Sequence, residues 1–129
     1  MKQQSFSLSK RLKSFGFAFN GLRIMIKEEH NFRIQLIAAF CVLVAGFVFH
    51  LSEFEWIAII FSIGFVFALE IINTSIENMA DFISPEKNEK IKLIKDLASA
   101  GVLIGAITAV VVGLIILLPK FIELLYAFQ

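Results

Sequence analysis

The sequence predicts an all-α membrane protein, with an N-terminal amphipathic surface helix followed by three transmembrane helices. Three observations carry that expectation. The chain has 129 residues and is 58% hydrophobic, well beyond the apolar share of an ordinary soluble domain. Its apolar residues fall into three long runs separated by short polar breaks. Ahead of them, Leu8, Leu12, Phe15, Phe19, Leu22 and Ile26 recur at alternating steps of four and three, the period of one helix face. The chain is long enough for one unit, so 1–129 reads as a single integral-membrane domain. A unit this small buries little surface alone, which favours a bundle completed by oligomerisation.

Region 1–33 is basic. Lys10, Arg11, Lys13, Arg23 and Lys27 lie off the apolar stripe and would reach lipid headgroups or phosphates. Phe6 and Phe17 interrupt the polar face, so part of the region is expected to pack on protein. Glu29 and Arg33 are spaced as an i, i+4 pair and read as a helix-surface ion pair, or else Glu29 is a metal ligand beside the acidic stripe of the second span. His30 has no partner at metal-ligand spacing and reads as interfacial.

The spans follow in order. Residues 34–51 are apolar except for Gln35 and His50 and form a short first span. The turn 52–55 contains neither Lys nor Arg. Residues 56–69 make an uncharged run of about 21 Å at the helical rise. Crossing about 30 Å therefore takes the next turns as well, so the second span is placed at 56–83. Pro85 disfavours helical geometry at Ser84 and should end it. The third span is expected over 97–118, stopping at Pro119, with Gly101, Gly105, Ala109 and Gly113 spaced for close helix approach.

The second span carries acids out of an apolar run. Glu70, Asn73, Glu77 and Asp81 are separated by three, four and four residues, within an arc of roughly 80° on a helix. An acid at membrane depth costs roughly 2.5–3.5 kcal/mol on insertion scales, so such groups usually face a bundle interior or an aqueous site. The plainer alternative is a helix end emerging into water with solvated carboxylates.

Charge sets orientation. Lys2, Lys10, Arg11, Lys13, Arg23, Lys27 and Arg33 precede the first span, and Lys87, Lys90, Lys92 and Lys95 separate the second from the third. These eleven of twelve basic residues should be cytoplasmic, with the 52–55 turn and the C-terminus outside. Glu29, the acidic stripe, Lys95 and Asp96 then gather at one membrane face. Carboxylates and an amide beside lysines suit a divalent cation and phosphate, since Mg²⁺ takes one or two carboxylates plus phosphate oxygens. A carboxylate there could also accept a proton from a lipid hydroxyl. No glycine-rich phosphate loop, protein-kinase motif set, zinc motif or serine nucleophile motif is present. The net charge of +1 gives no pull towards nucleic acid. Cys41 is the single cysteine and makes no intrachain disulfide, and no cleavable signal peptide is expected. A small non-catalytic membrane oligomer is the reading that competes with an enzyme.

The run Glu70-Ile71-Ile72-Asn73-Thr74-Ser75-Ile76-Glu77, followed by Asp81 and by Lys95-Asp96, resembles the signature of the prokaryotic diacylglycerol kinase family, which includes the undecaprenol kinases. The resemblance extends over essentially the whole chain. It implies a homotrimer of three-span subunits in a bacterial plasma membrane, with shared cytoplasmic sites for ATP and Mg²⁺ and a membrane lipid alcohol as acceptor. By the same resemblance Glu29 and Glu77 hold the metal, Glu70 is the base on the lipid hydroxyl, and Asn73 is its polar partner. Lys95 and Asp96 contact nucleotide, Glu86, Lys87 and Asn88 form the loop over it, and Ser99 lies on the substrate side. Phe17 and Lys10 or Arg11 stand where the family has nucleotide contacts, and Phe17 replaces a tyrosine. Diacylglycerol is the family's default acceptor, and undecaprenol is the alternative suggested by the Lys27 to Leu36 segment.

Overall fold

The computed structural model describes residues 6–129, so Lys2 of the basic N-terminal set lies outside the described residues. It is helical throughout, in the order α1 (Leu8–Glu28), α2 (His30–Val48), α3 (Glu53–Ile83) and α4 (Glu89–Ala127). The last three are long and apolar enough to cross a membrane. The chain divides into two compact units, Met1–Ile34 and Gln35–Gln129.

In the first unit, α1 shows Leu8, Leu12, Phe15 and Phe19 to the surroundings, each more than 60% exposed. Arg11 stacks its guanidinium 5.0 Å from the Phe6 ring centre, a cation–π contact. The helix stops at Glu29, whose backbone is extended (φ −96°, ψ 107°) and whose N–H closes on the Met25 carbonyl. Glu29 and Arg33 are still one helical turn apart, the Arg33 N–H donating to the Glu29 carbonyl at 3.3 Å. The expected ion pair between their side chains is not among those of the described residues. The Arg33 side chain lies instead 3.5 Å from His30 Nδ1.

The corner between α2 and α3 shortens the expected first span by three residues. His50 takes the left-handed conformation, φ 53°. The Leu51 N–H reaches back to the Gly46 carbonyl at 3.2 Å and the His50 N–H to Phe47 at 3.4 Å, a Schellman-type stop. Gly46 is required here, because a Cβ would lie 2.6 Å from the Trp56 ring and 3.1 Å from Leu51. The Phe47 and Trp56 rings sit 4.9 Å apart across the same corner. α3 then begins three residues before the expected 56, because Ser52 and Glu55 form a reciprocal capping box. It ends at Ile83, as Pro85 requires, with the Ser84 N–H bonded to the Ala80 carbonyl.

The long antiparallel pair α3 and α4 is the main packing unit. Its register is marked at three levels: Glu55 with Lys120, Leu69 against Gly105, and Asp81 with Lys95. A side chain at Gly105 would run into Leu69, whereas Gly101 and Gly113 meet nothing within 4 Å in the single chain. Of the small-residue series, Gly105 is thus the glycine used for contact inside one chain. The expected third span of 97–118 is too short: α4 starts at Glu89 and continues through Pro119 to Ala127. Proline removes one helical hydrogen bond but does not force a stop in an apolar helix. The Lys120 ammonium, 3.3 Å from the Glu55 carboxylate and about a quarter exposed, ties the turn beyond the proline to α3.

Candidate functional site

The two ion pairs calibrate depth. From Glu55 to Asp81 is about 39 Å along α3 at the helical rise, more than the hydrocarbon thickness of about 30 Å. The pairs therefore sit near opposite faces, and Glu70 lies about 16 Å inward of Asp81. Glu70 is only 3% exposed, and Asn73 and Thr74 one turn on are also buried. Acids placed at such depth persist where a partner is supplied.

The partner of Glu70 comes from α2. Gln35 Nε2 donates to Glu70 Oε2 at 3.0 Å. This residue was passed over in the sequence as one of two polar interruptions of the first span. The signal was its lone amide in an apolar run, but the register that brings it to Glu70 is not local. Next along α3, Asn73 Nδ2 donates to Glu77 Oε1 at 3.3 Å, the i, i+4 relation that the spacing predicts. Both amides have turned an N–H to a carboxylate, and both are left with a buried oxygen, Gln35 Oε1 and Asn73 Oδ1, that has no hydrogen-bond partner. At the helix end Asp81 is exposed and accepts from Lys95 Nζ at 2.8 Å. The stripe therefore runs from a buried acid at Glu70, through half-buried Glu77, to an exposed one at Asp81.

The other expected residues are placed less tightly. Asp96 faces outward and pairs with Lys92 at 3.1 Å, one turn back on α4. Glu86, Lys87 and Asn88 lie in the exposed connection before α4. Asn88 caps that helix, its Oδ1 accepting from the Lys90 and Ile91 N–H groups, so its oxygen is committed to the backbone. Ser99 is exposed on α4. In the first unit, Lys10 and Phe17 are exposed on α1, and Glu29 is half-buried at the break after it.

Among the described residues no three His, Cys, Asp or Glu side chains gather as an all-protein metal cage. The donors present nevertheless suit a hard divalent cation. Glu77 supplies carboxylate oxygen, and the unpaired Asn73 Oδ1 beside it is a neutral oxygen of the same kind. Mg²⁺ needs only one or two such carboxylates when phosphate oxygens complete its shell.

Beside this polar end the second unit opens an apolar groove of about 570 Å³. It starts at Gln35 and runs between Val42 of α2, Phe49 just beyond that helix, Val66 of α3 and Leu117 of α4. Ser62, the other polar residue on its wall, has its hydroxyl bonded to the Ala58 carbonyl at 2.8 Å.

A three-span helical membrane protein with a buried acid bonded to a glutamine on the wall of a hydrocarbon-lined groove is the class these features define. The prokaryotic diacylglycerol kinase profile matches residues 16–117, and the chain belongs to that family. It is 38% identical to the undecaprenol kinase of Bacillus subtilis over 113 residues, 88% of this chain and 92% of that one. It is 30% identical to the diacylglycerol kinase of Escherichia coli K12 over 121 residues, covering 94% and 99% of the two chains. The diacylglycerol kinase of Helicobacter pylori 26695 is 38% identical over 101 residues, 76% of this chain and 77% of that one. The chain is therefore an integral-membrane lipid kinase, a phosphotransferase with an alcohol as acceptor.

Proposed function

We propose that this enzyme transfers the γ-phosphoryl group of ATP, with Mg²⁺, to the hydroxyl of a membrane lipid alcohol. The observation that carries the reading is Glu70, buried in α3 and held by Gln35, which lines the apolar groove. The lipid lies with its tail along the groove and its hydroxyl at Glu70. Glu70 takes the hydroxyl proton as the oxygen attacks the γ-phosphorus, the bond to the β-phosphate oxygen breaks, and ADP leaves. Mg²⁺ supplies neutralisation of phosphate charge. Glu77, Glu29 and the oxygen of Asn73 are the groups read as holding it. Lys95, Asp96, Glu86, Lys87, Asn88, Lys10 and Phe17 are read as nucleotide contacts by the family resemblance, with Ser99 on the substrate side. A homotrimer with shared sites completes the reading. It is supported by the family resemblance and by Gly101, where an added side chain would meet nothing within one chain.

Between the two acceptors, diacylglycerol and undecaprenol, the reading favours undecaprenol. Apart from Gln35 and Ser62 the groove wall is hydrocarbon, which matches a polyprenyl tail, and the relative 38% identical over 88% of this chain is an undecaprenol kinase. Purified protein in lipid, given ATP and Mg²⁺ with undecaprenol and diacylglycerol side by side, should label undecaprenol faster. Faster labelling of diacylglycerol reverses this substrate choice, and no labelling of either lipid removes the kinase reading.

The orientation read from charge places Asp81, Lys95 and the N-terminus in the cytoplasm, with the Glu55–Lys120 end and the C-terminus outside. In a Cys41→Ala background, Glu53→Cys and Lys87→Cys should react with impermeant thiol reagents added from opposite sides. Reaction of both from one side contradicts the arrangement.

A further inference from the structure

We infer that Gln35 is a positioning residue that aims the Glu70 carboxylate at the lipid hydroxyl. The inference rests on the reading of Glu70 as the base. Gln35 is an amide in the otherwise apolar part of α2 that faces the groove, and its Nε2 donates to Glu70 Oε2 across 3.0 Å. The bond joins α2 to α3, which also meet at the Gly46–Trp56 corner at the far end of α2. Gln35 stands on the wall of the groove of about 570 Å³, whereas Glu70 itself is buried to 3% exposure.

As packing alone, glutamine is a poor choice at this place. Its Oε1 is buried without a partner, an arrangement that an apolar residue of the same length would avoid. What the amide adds is direction. A glutamate has three rotatable side-chain bonds, and a donor fixed on Oε2 selects the rotamer and leaves Oε1 to receive the proton. For a base that must meet a hydroxyl at hydrogen-bond distance, a shift of about 1 Å can lower the rate on the order of 100-fold. Gln35 also lines the groove, so one side chain would hold the acid and mark where the lipid head stops.

The test compares Gln35→Met, which keeps length and removes the donor, with Gln35→His, which returns an N–H at similar reach. Each is made alone and in a Glu70→Gln background, in lipid with ATP and Mg²⁺. Gln35→Met should lower kcat about 10–100-fold and leave KM for ATP unchanged. Gln35→His should recover much of that loss. In the Glu70→Gln background Gln35→Met should change kcat by less than about twofold, because the group it aims is gone. Wild-type kcat in Gln35→Met, or an equal loss in both backgrounds, overturns the positioning role while leaving Glu70 as the base. Near-normal kcat in Glu70→Gln alone instead removes the base reading itself. Should Gln35→Met fail to assemble, Gln35→His decides: kcat within about threefold of wild type supports the role, and a loss above about tenfold overturns it.

Discussion

Glu70→Gln should lower lipid phosphorylation by about 10²–10⁴-fold at saturating ATP and Mg²⁺, the usual contribution of a positioned general base. The variant should remain folded. Its amide oxygen can still accept from Gln35 Nε2, so the tie from α2 to α3 at 3.0 Å need not break. Removing a charge buried to 3% exposure inside an apolar helix should leave thermal stability equal or higher. Activity and stability thus move apart, which a merely structural acid would not do. The loss should fall on kcat, with KM for ATP little changed, because Glu70 is read as touching the acceptor rather than the nucleotide. Steady-state kinetics alongside a melting curve in the same detergent or lipid checks both halves.

Glu77→Gln should fail in another way. Its carboxylate is half-buried, one turn nearer the membrane face than Asn73, and accepts from Asn73 Nδ2 at 3.3 Å. An amide there keeps the hydrogen bond and loses the negative charge. For a metal-holding residue the consequence is weaker capture of the cation with its nucleotide, not a slower proton transfer. Activity at ordinary Mg²⁺ should drop by at least about tenfold, and raising Mg²⁺ should recover a large part of it. Glu29→Gln should show the same partial rescue.

Much of this organisation was legible in the sequence because it is local. The apolar runs gave three spans, the 3-4-4 spacing put Glu70, Asn73, Glu77 and Asp81 on one continuous helix, and Pro85 marked where α3 ends. Helix ends were harder. Pro119 reads as a stop, but α4 runs through it, and Lys120 in the following turn meets Glu55 on the neighbouring helix, a contact that no local pattern announces. The turn at His50 was missed because a left-handed histidine gives no sign in composition. Glu29 and Arg33 do sit one helical turn apart, but side-chain pairing depends on rotamers, and Arg33 turns to His30 instead. The largest omission at the site was Gln35. Its pairing with Glu70 depends on the register between α2 and α3, 35 positions apart in the chain. By contrast, Lys95 was expected near the end of α3, and its bond to Asp81 at 2.8 Å brings it there.

The division of labour among the acids is the central claim, and rate measured against Mg²⁺ concentration for Glu29→Gln, Glu70→Gln and Glu77→Gln tests it most directly. The account expects partial recovery for Glu29→Gln and Glu77→Gln as Mg²⁺ rises, and none for Glu70→Gln. Equal recovery of all three would contradict it, placing Glu70 in the metal site and leaving the lipid hydroxyl without its base.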